Sequence, residues 1–370
     1  MDDRIWQEGQ AKFWVGNSFY RSSGQVARDL GVLAAAVYRQ EMGSLRVLDA
    51  MAGSGVRSLR YAIESQADWI WANDSNPDIE DVLQKNLATI VPTNRAQITF
   101  RDAKKIFFEC YDRHDFYDLV DVDCFGSPAP YWSALEATKI GGLLYFTSTD
   151  GRTVTGHEPE SSLALYGSYP RSHPAIHEQG LRILLGSVQK AAAAQGWGIE
   201  PIFSLFAGET YRLMVRLVAR PLLNSQTYGF LGYCHTCGDY QTIAWRDLGR
   251  VNCAHDRHPL AMTGAMWLGN LHHAPSVQKL AALAEQWNWP ARSHLLKLMA
   301  DESDLPPYFY TLGEIGRRGK LDIPKRSLLI QALHDLGYRA TATHIHAQAI
   351  KTDANLHTCI HIARNLLKKK

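Results

Sequence analysis

Four short apolar segments that each finish on a carboxylate leave this chain few folds to choose from. They are Arg46–Asp49, Trp69–Asp74, 98–103 with its Asp102, and 118–122 running into Asp123. A turn and a stretch of helical character follow the first two, Val56–Ile63 after one and 78–87 after the other. Strands alternating with helices build a parallel, doubly wound sheet. Segments 142–147, 200–206 and 211–218 add three strands, and the short gap between the last two predicts one antiparallel hairpin. The expectation is an α/β fold with a mostly parallel seven-stranded sheet. Ligands of such sheets sit just beyond the carboxyl ends of the strands, where the acids fall. Four acid-bearing strand ends in register are hard to explain as packing alone.

The connections sharpen this. Ala50-Met51-Ala52-Gly53-Ser54-Gly55 is a run of small residues between the first strand and its helix. Small residues let backbone approach a ligand, and the helix amino end adds free N–H groups. The third glycine of a dinucleotide fingerprint is absent, with Ser58 in its place. Asp49-x-x-x-Gly53-x-Gly55 is instead the form found in S-adenosylmethionine-dependent methyltransferases of the class I, Rossmann-like fold. Asp74 can accept both ribose hydroxyls of a cofactor, and Asp102 can hold an adenine amino group. Arg28 opens the helical run 26–38 and either pairs bidentately with a carboxylate or is an ordinary surface arginine. The fourth strand ends in Asp123-Cys124-Phe125-Gly126-Ser127-Pro128. There a ring can stack on a flat heterocycle while the carboxylate accepts a hydrogen bond from an exocyclic amine.

Beyond residue 225 the composition changes. Three of the six cysteines, Cys234, Cys237 and Cys253, fall within twenty residues. Such clustering predicts a zinc-knuckle-like metal site rather than a disulfide framework, and with it a reducing, cytoplasmic setting. His255, Asp256 and His258 compete as the fourth ligand, and His255 is favoured. The acidic opening Met1-Asp2-Asp3 is unlike a signal peptide, and no apolar run approaches a membrane span. Net charge is only +2, yet residues 311–370 hold eleven Lys/Arg against four Asp/Glu. A basic final part is the footprint of a polyanion partner, or simply a solvated surface. Helical runs are expected at 277–287, 293–300 and 325–336. The last is followed by a strand-like wing at 338–344, as in winged-helix nucleic-acid modules. The domains expected are 1–225, with an N-terminal segment 1–45, and 226–370, with the Cys/His cluster at 234–258 and the basic part at 311–370.

Taken together, the motifs resemble those of the tRNA guanine-26 N2-dimethyltransferase family. The likeness runs through Ser18-Phe19-Tyr20, Arg28-Asp29, the loop from Ala52 to Ala62, Asn73-Asp74, Asp102-Ala103 and Asp123-Cys124-Phe125-Gly126-Ser127-Pro128. It continues through Thr147-Ser148-Thr149-Asp150, His177-Glu178-Gln179-Gly180-Leu181-Arg182, Trp267-Leu268-Gly269 and Thr343-His344 to Ile350-Lys351-Thr352. The resemblance implies S-adenosylmethionine held by Arg28, Asp49, Gly53, Arg57, Asp74, Asp102 and Ala103. It implies Asp123 as the catalytic acid, with Phe19 and Phe125 sandwiching the guanine. It further implies a structural zinc on the cysteines, and a smaller α+β C-terminal domain gripping tRNA through Arg317, Arg318, Lys325, Arg326 and Lys351. The sequence departs from the family pattern in three places. Arg21-Ser22-Ser23-Gly24 and Ala27 alter the first motif, Cys124 replaces a proline that would stiffen the loop carrying Asp123, and a fourth cysteine is missing. Competing readings are an amino-methyltransferase acting on another nucleic-acid or protein amine, and a non-catalytic tRNA-binding relative.

Overall fold

The computed structural model of the protein describes residues 4–91 and 94–368. Met1-Asp2-Asp3 and the terminal Lys369 and Lys370 lie outside the described residues. A hairpin, β1 (Ile5–Glu8) and β2 (Ala11–Trp14), leads into α1 (Gln25–Met42). Next come β3 (Arg46–Asp49), α2 (Val56–Ile63), β4 (Trp69–Asp74), α3 (Glu80–Leu87), β5 (Ala96–Phe100), α4 (Ala103–Asp112) and β6 (Tyr117–Val122). β7 (Thr138–Ser148), α5 (Gly151–Val154), α6 (Pro159–Tyr166), α7 (Ile176–Ala194) and the hairpin β8 (Gly198–Ala207) and β9 (Thr210–Val218) complete the first half.

The seven strands lie in the order β5-β4-β3-β6-β7-β9-β8, and only β9 runs against the others. The expected parallel sheet and single antiparallel hairpin are both present. β6 is buried along its whole length, as a central parallel strand covered on both faces must be. Its acids are therefore all partnered: Asp118, for one, accepts from the Tyr38 hydroxyl at 2.9 Å and from the Arg46 N–H at 2.9 Å. The strand order reverses at β3, and the space beyond the carboxyl ends of β3 and β6 is where a ligand site forms.

The second half holds β10 (Tyr228–Tyr233), β11 (Tyr240–Ile243) and β12 (Ala261–Trp267), an antiparallel sheet that carries the cysteines. The helical pair α8 (Ala274–Gln286) and α9 (Pro290–Asp301) follows, then β13 (Tyr310–Thr311), α10 (Leu312–Gly319), α11 (Arg326–Asp335), β14 (Ala340–Ala342), β15 (Ala349–Thr352) and α12 (Leu356–Lys368). The order of the last sheet is β13-β15-β14, so the expected helix, turn and wing are there. Among the described residues, no helix is long and apolar enough to cross a membrane.

The two halves interpenetrate more than a boundary at residue 225 suggests. Val277, Leu280, Leu296 and Met299 of α8 and α9 share one core with Leu30 and Leu33 of α1. Arg292 Nε reaches Asp29 Oδ2 at 2.7 Å across that contact. On the opposite face, three motifs far apart in sequence meet in one buried cluster. Lys351 Nζ donates to Glu178 Oε1 at 2.7 Å, Arg182 binds the same oxygen at 2.8 Å, and Arg182 Nη1 donates to Gly269 O at 2.7 Å. The assignment of Lys351 to tRNA is thereby corrected: its side chain is 2 % exposed and neutralises Glu178. A buried carboxylate stripped of one partner is expensive. Lys351→Met is expected to lower the unfolding free energy by about 3 kcal/mol in urea titrations. Lys325→Met, on an exposed site, should stay within about 0.5 kcal/mol.

Candidate active site

A cavity of about 910 Å³ opens beyond the carboxyl ends of β3, β4 and β6. Its floor is the loop before α2, where Gly53 (φ +53°) and Gly55 (φ +77°) take left-handed conformations that other residues adopt at a cost. The Gly53 N–H donates to Asp74 Oδ2 at 2.9 Å, and the Asn76 N–H donates to Asp74 Oδ1 at 2.9 Å, which sets the carboxylate at the pocket wall. Asp102 caps α4 by accepting from the Lys104 N–H at 2.9 Å, with Ala103 beside it on the lining. Arg28 also lines the cavity, but its fork is occupied: Nε lies 2.8 Å from Glu8 Oε1 and Nη2 lies 2.6 Å from Glu8 Oε2. Burial raises the Glu8 carboxyl, but hydrogen bonds and charge from Arg28 and Arg60 outweigh it and hold the group below its ordinary range.

The deep end of the cavity concentrates charge. Asp123 follows β6 with its side chain 29 % exposed, and both of its oxygens are held. Arg57 Nη2 lies 2.9 Å from Oδ2, and Arg212 Nη1 lies 2.8 Å from Oδ1. Burial pushes this carboxyl up, but Arg212 first and then Arg57 outweigh it and hold the group well below the carboxylate range. Asp121, fully buried, accepts from Arg57 Nη1 at 2.9 Å and from the Tyr61 hydroxyl at 2.6 Å. Asp49 is also fully buried and takes the Ser58 hydroxyl at 2.6 Å. It does not line the cavity, so its expected contact with the cofactor is corrected: it orders the loop from beneath. Phe19 and Phe125 stand at the mouth, 59 % and 70 % exposed, with ring centroids 4.9 Å apart in an edge-on contact. Two large rings exposed side by side at a cavity rim are the surface to expect where a flat ligand docks.

A model of the family described as N2,N2-dimethylguanosine tRNA methyltransferase matches residues 5–364. The chain belongs to this family. Among relatives named tRNA (guanine(26)-N(2))-dimethyltransferase, one from Pyrococcus horikoshii is 30% identical over 375 residues, covering 94% of each chain. Another, from Pyrobaculum calidifontis, is 31% identical and covers 96% of each. The solved complex of Trm1 from Pyrococcus horikoshii with S-adenosyl-L-methionine has a TM-score of 0.83 at 28% identity, covering 97% of this chain and 99% of that one.

Sequence reasoning missed several residues of this tRNA methyltransferase's pocket. Arg212 and Thr147 close on Asp123, and Glu8 holds Arg28. The charges inside the otherwise apolar β9, Arg212 and Arg216, were the available signal for Arg212. Glu8 had none, because it comes from a hairpin whose role exists only after folding. Outside the pocket, the metal expectation changes in one ligand. Cys234, Cys237, Cys253 and Asp256 bring their donor atoms within 4.8 Å of one another. Cys237 Sγ lies 3.4 Å from Cys253 Sγ, and Cys234 Sγ lies 3.4 Å from Asp256 Oδ2. His255 turns away and meets Asp239 Oδ2 at 3.1 Å, so Asp256, not the favoured His255, is the side chain that lies with the three thiols. Of the expected tRNA contacts, Arg317 and Lys325 are exposed. Arg326 is half-buried and donates to Ala347 O. Arg318 is 12 % exposed and is spent on Glu314, Thr236 O and the Tyr233 hydroxyl, which fastens α10 to the cysteine-bearing sheet.

Burial, and after it the charge of Asp121, raises the Asp49 carboxyl from 3.8 to about 7. Below pH 3.8 the group is protonated whether or not the chain is folded, so its contribution to stability is fully present. That contribution is lost as pH rises through about 7, because only the unfolded chain ionises the group freely. Asp49→Asn keeps an acceptor for Ser58 and removes the titration. Its unfolding free energy should fall less steeply than that of the unaltered protein across this window in urea titrations at stepped pH.

Proposed function

We propose that this chain transfers methyl groups from S-adenosylmethionine to the exocyclic N2 of guanosine 26 in tRNA, giving N2-methyl- and then N2,N2-dimethylguanosine. The observation that carries the reading is Asp123, a held and partly exposed carboxylate between the glycine loop and the two rim phenylalanines. The family match and the basic C-terminal part favour tRNA over another amine substrate.

The cavity suits the cofactor. Asp74 faces it with acceptors for a ribose, the segment at Asp102 and Ala103 offers a wall for an adenine, and Gly53 leaves room for close approach. When bound, S-adenosylmethionine supplies an electrophilic methyl group, and the protein's residues do the rest. Arg28 presents what remains of its guanidinium to a carboxylate. Phe19 and Phe125 part, turn parallel and take the guanine between them once the base has left its stack. Asp123 then accepts a hydrogen bond from the N2 amine, whose lone pair is otherwise delocalised into the ring. This favours a pyramidal nitrogen aimed at the methyl carbon. In the C-terminal part, Arg317, Lys325 and Arg326 contact phosphates, while Arg318 and Lys351 only shape the module.

The test is incubation with labelled S-adenosylmethionine and unmodified tRNA transcripts, followed by nucleoside mass spectrometry. N2-methylated guanosine should form and should vanish when guanosine 26 is changed to adenosine. Asp123→Asn, which keeps shape and loses charge, should cut the rate at least about a hundredfold with cofactor affinity nearly unchanged. Loss of cofactor binding along with activity would make Asp123 a structural residue instead.

The donor set of three thiols and a carboxylate fits Zn²⁺ in a closed, structural site, with Cys234, Cys237, Cys253 and Asp256 as ligands. Metal titration with a chromogenic chelator should show one Zn²⁺ per chain. Asp256→Ala should weaken that binding at least about tenfold, while His255→Ala leaves it unchanged. The reverse pattern would restore His255 as the ligand.

A further inference from the structure

Arg212 sits on β9, the one reversed strand of the sheet, directly across from Thr147 of β7 in the ladder. Its Nη1 donates to both Asp123 Oδ1 and Thr147 Oγ1. The Thr147 carbonyl oxygen in turn accepts from the Cys124 thiol at 3.2 Å. Burial, with Asp123 next to it, pushes that thiol up to about 12, so it stays protonated and donates. The loop carrying the acid is stitched again two residues on, just past the end of β7, where the Gly126 N–H donates to Thr149 Oγ1 at 2.7 Å and the Thr149 N–H returns to Gly126 O at 3.0 Å. Residue 124 lacks the ring that would lock its backbone, and the side-chain bond to β7 supplies the restraint.

We propose that Arg212 is a positioning residue for methyl transfer: braced by Thr147, it turns Asp123 to one orientation and holds it there as a charged acceptor for the N2 amine. This rests on the reading of Asp123 given above. In the step itself N2 bonds to the methyl carbon as the methyl–sulfur bond breaks, with sulfur keeping the electron pair. The nitrogen then sheds one proton, which the Asp123 carboxylate passes to water at the open side of the pocket. A carboxylate kept below its ordinary range by two guanidinium groups releases that proton readily and is free for a second round. Arg57 supports the other oxygen, but it also neutralises Asp121, so it cannot be removed cleanly. Arg212 is the part that can be tested alone.

The groups facing Asp123 set the sign of the test. Arg212, Arg57, the Thr147 hydroxyl and Arg28 favour its charge and burial opposes it, while Asp49 and Asp121, themselves pushed upward, are already protonated where Asp123 titrates. The Tyr145 and Cys124 side chains alongside are held protonated by burial. Without the Arg212 charge the Asp123 carboxyl rises, and the acidic limb of the rate profile moves to higher pH.

The experiment measures kcat and KM on tRNA against pH, with calorimetric cofactor affinity and thermal melting as controls. It compares the unaltered protein with Arg212→Met, Arg212→Lys and Thr147→Val. Arg212→Met should lower kcat at least about tenfold with cofactor affinity within about twofold, and should shift the acidic limb upward by about one pH unit or more. Arg212→Lys should keep the limb near its original pH. Thr147→Val should lower kcat and move the limb upward by less than Arg212→Met does, since one hydrogen bond that lowers the carboxyl is lost while the Arg212 charge remains. A normal kcat in Arg212→Met overturns the proposal, and so does a lowered kcat with an unmoved limb. If Arg212→Met does not fold, an unchanged kcat in Thr147→Val overturns it. An unaltered protein that binds cofactor yet makes no N2-methylguanosine on any tRNA fails the functional reading instead, whatever the variants do.

Discussion

Three carboxylates packed at the ends of two neighbouring parallel strands are the constraint that the site is built around. The register sets Asp49 beside Asp121, and Asp123 emerges two residues later, just past the end of that strand. Like charges so close in a water-poor place cannot stand without counterions and hydrogen bonds. Arg57 from α2 and Arg212 from β9 supply the positive charge, and the hydroxyls of Ser58 and Tyr61 satisfy further oxygens. The division of labour follows from where each acid sits. The two innermost carboxyls are pushed upward by burial, whereas the one at the pocket edge, gripped by both arginines, stays charged. One acid out of three is thereby made available to a substrate.

A second ionic cluster carries this order outward. Glu8 of β1 accepts from Arg28 and Arg60, Arg60 also binds Asp29 and Glu64, and Asp29 continues to Arg292 of α9. The N-terminal hairpin, two helices around the pocket and a helix from the far half of the chain are thus fixed by one set of buried bonds. On the other face Lys351, Glu178 and Arg182 do the same for the basic module. The basic module is thereby held at a fixed offset from the pocket. Reaching one nucleoside inside a large folded substrate needs such rigid geometry.

The comparison of expectation with structure separates two kinds of residue. The strands Arg46–Asp49 and Trp69–Asp74 and the helix Val56–Ile63 fall where the residue pattern put them, and the hairpin of β8 and β9 is antiparallel as its spacing required. Asp74, Asp102, Asp123, Phe19 and Phe125 all reach one cavity. Asp49, Lys351, Arg318 and His255 lie away from the positions expected of them, and the reason is common to all four. A motif gives a residue's place along the chain, while the burial of its side chain depends on segments from elsewhere.

What the sequence by itself determined is therefore everything governed by local period and backbone freedom: the alternating strands and helices, the left-handed glycine loop, and the acids at strand ends. These need only near neighbours to be legible. The tertiary structure alone decided which charged groups are spent on one another. Arg212 is paired with Asp123 across 89 positions and Lys351 with Glu178 across 173. Electrostatic partnership depends on distance in space and on exclusion of water, and neither is written in sequence separation.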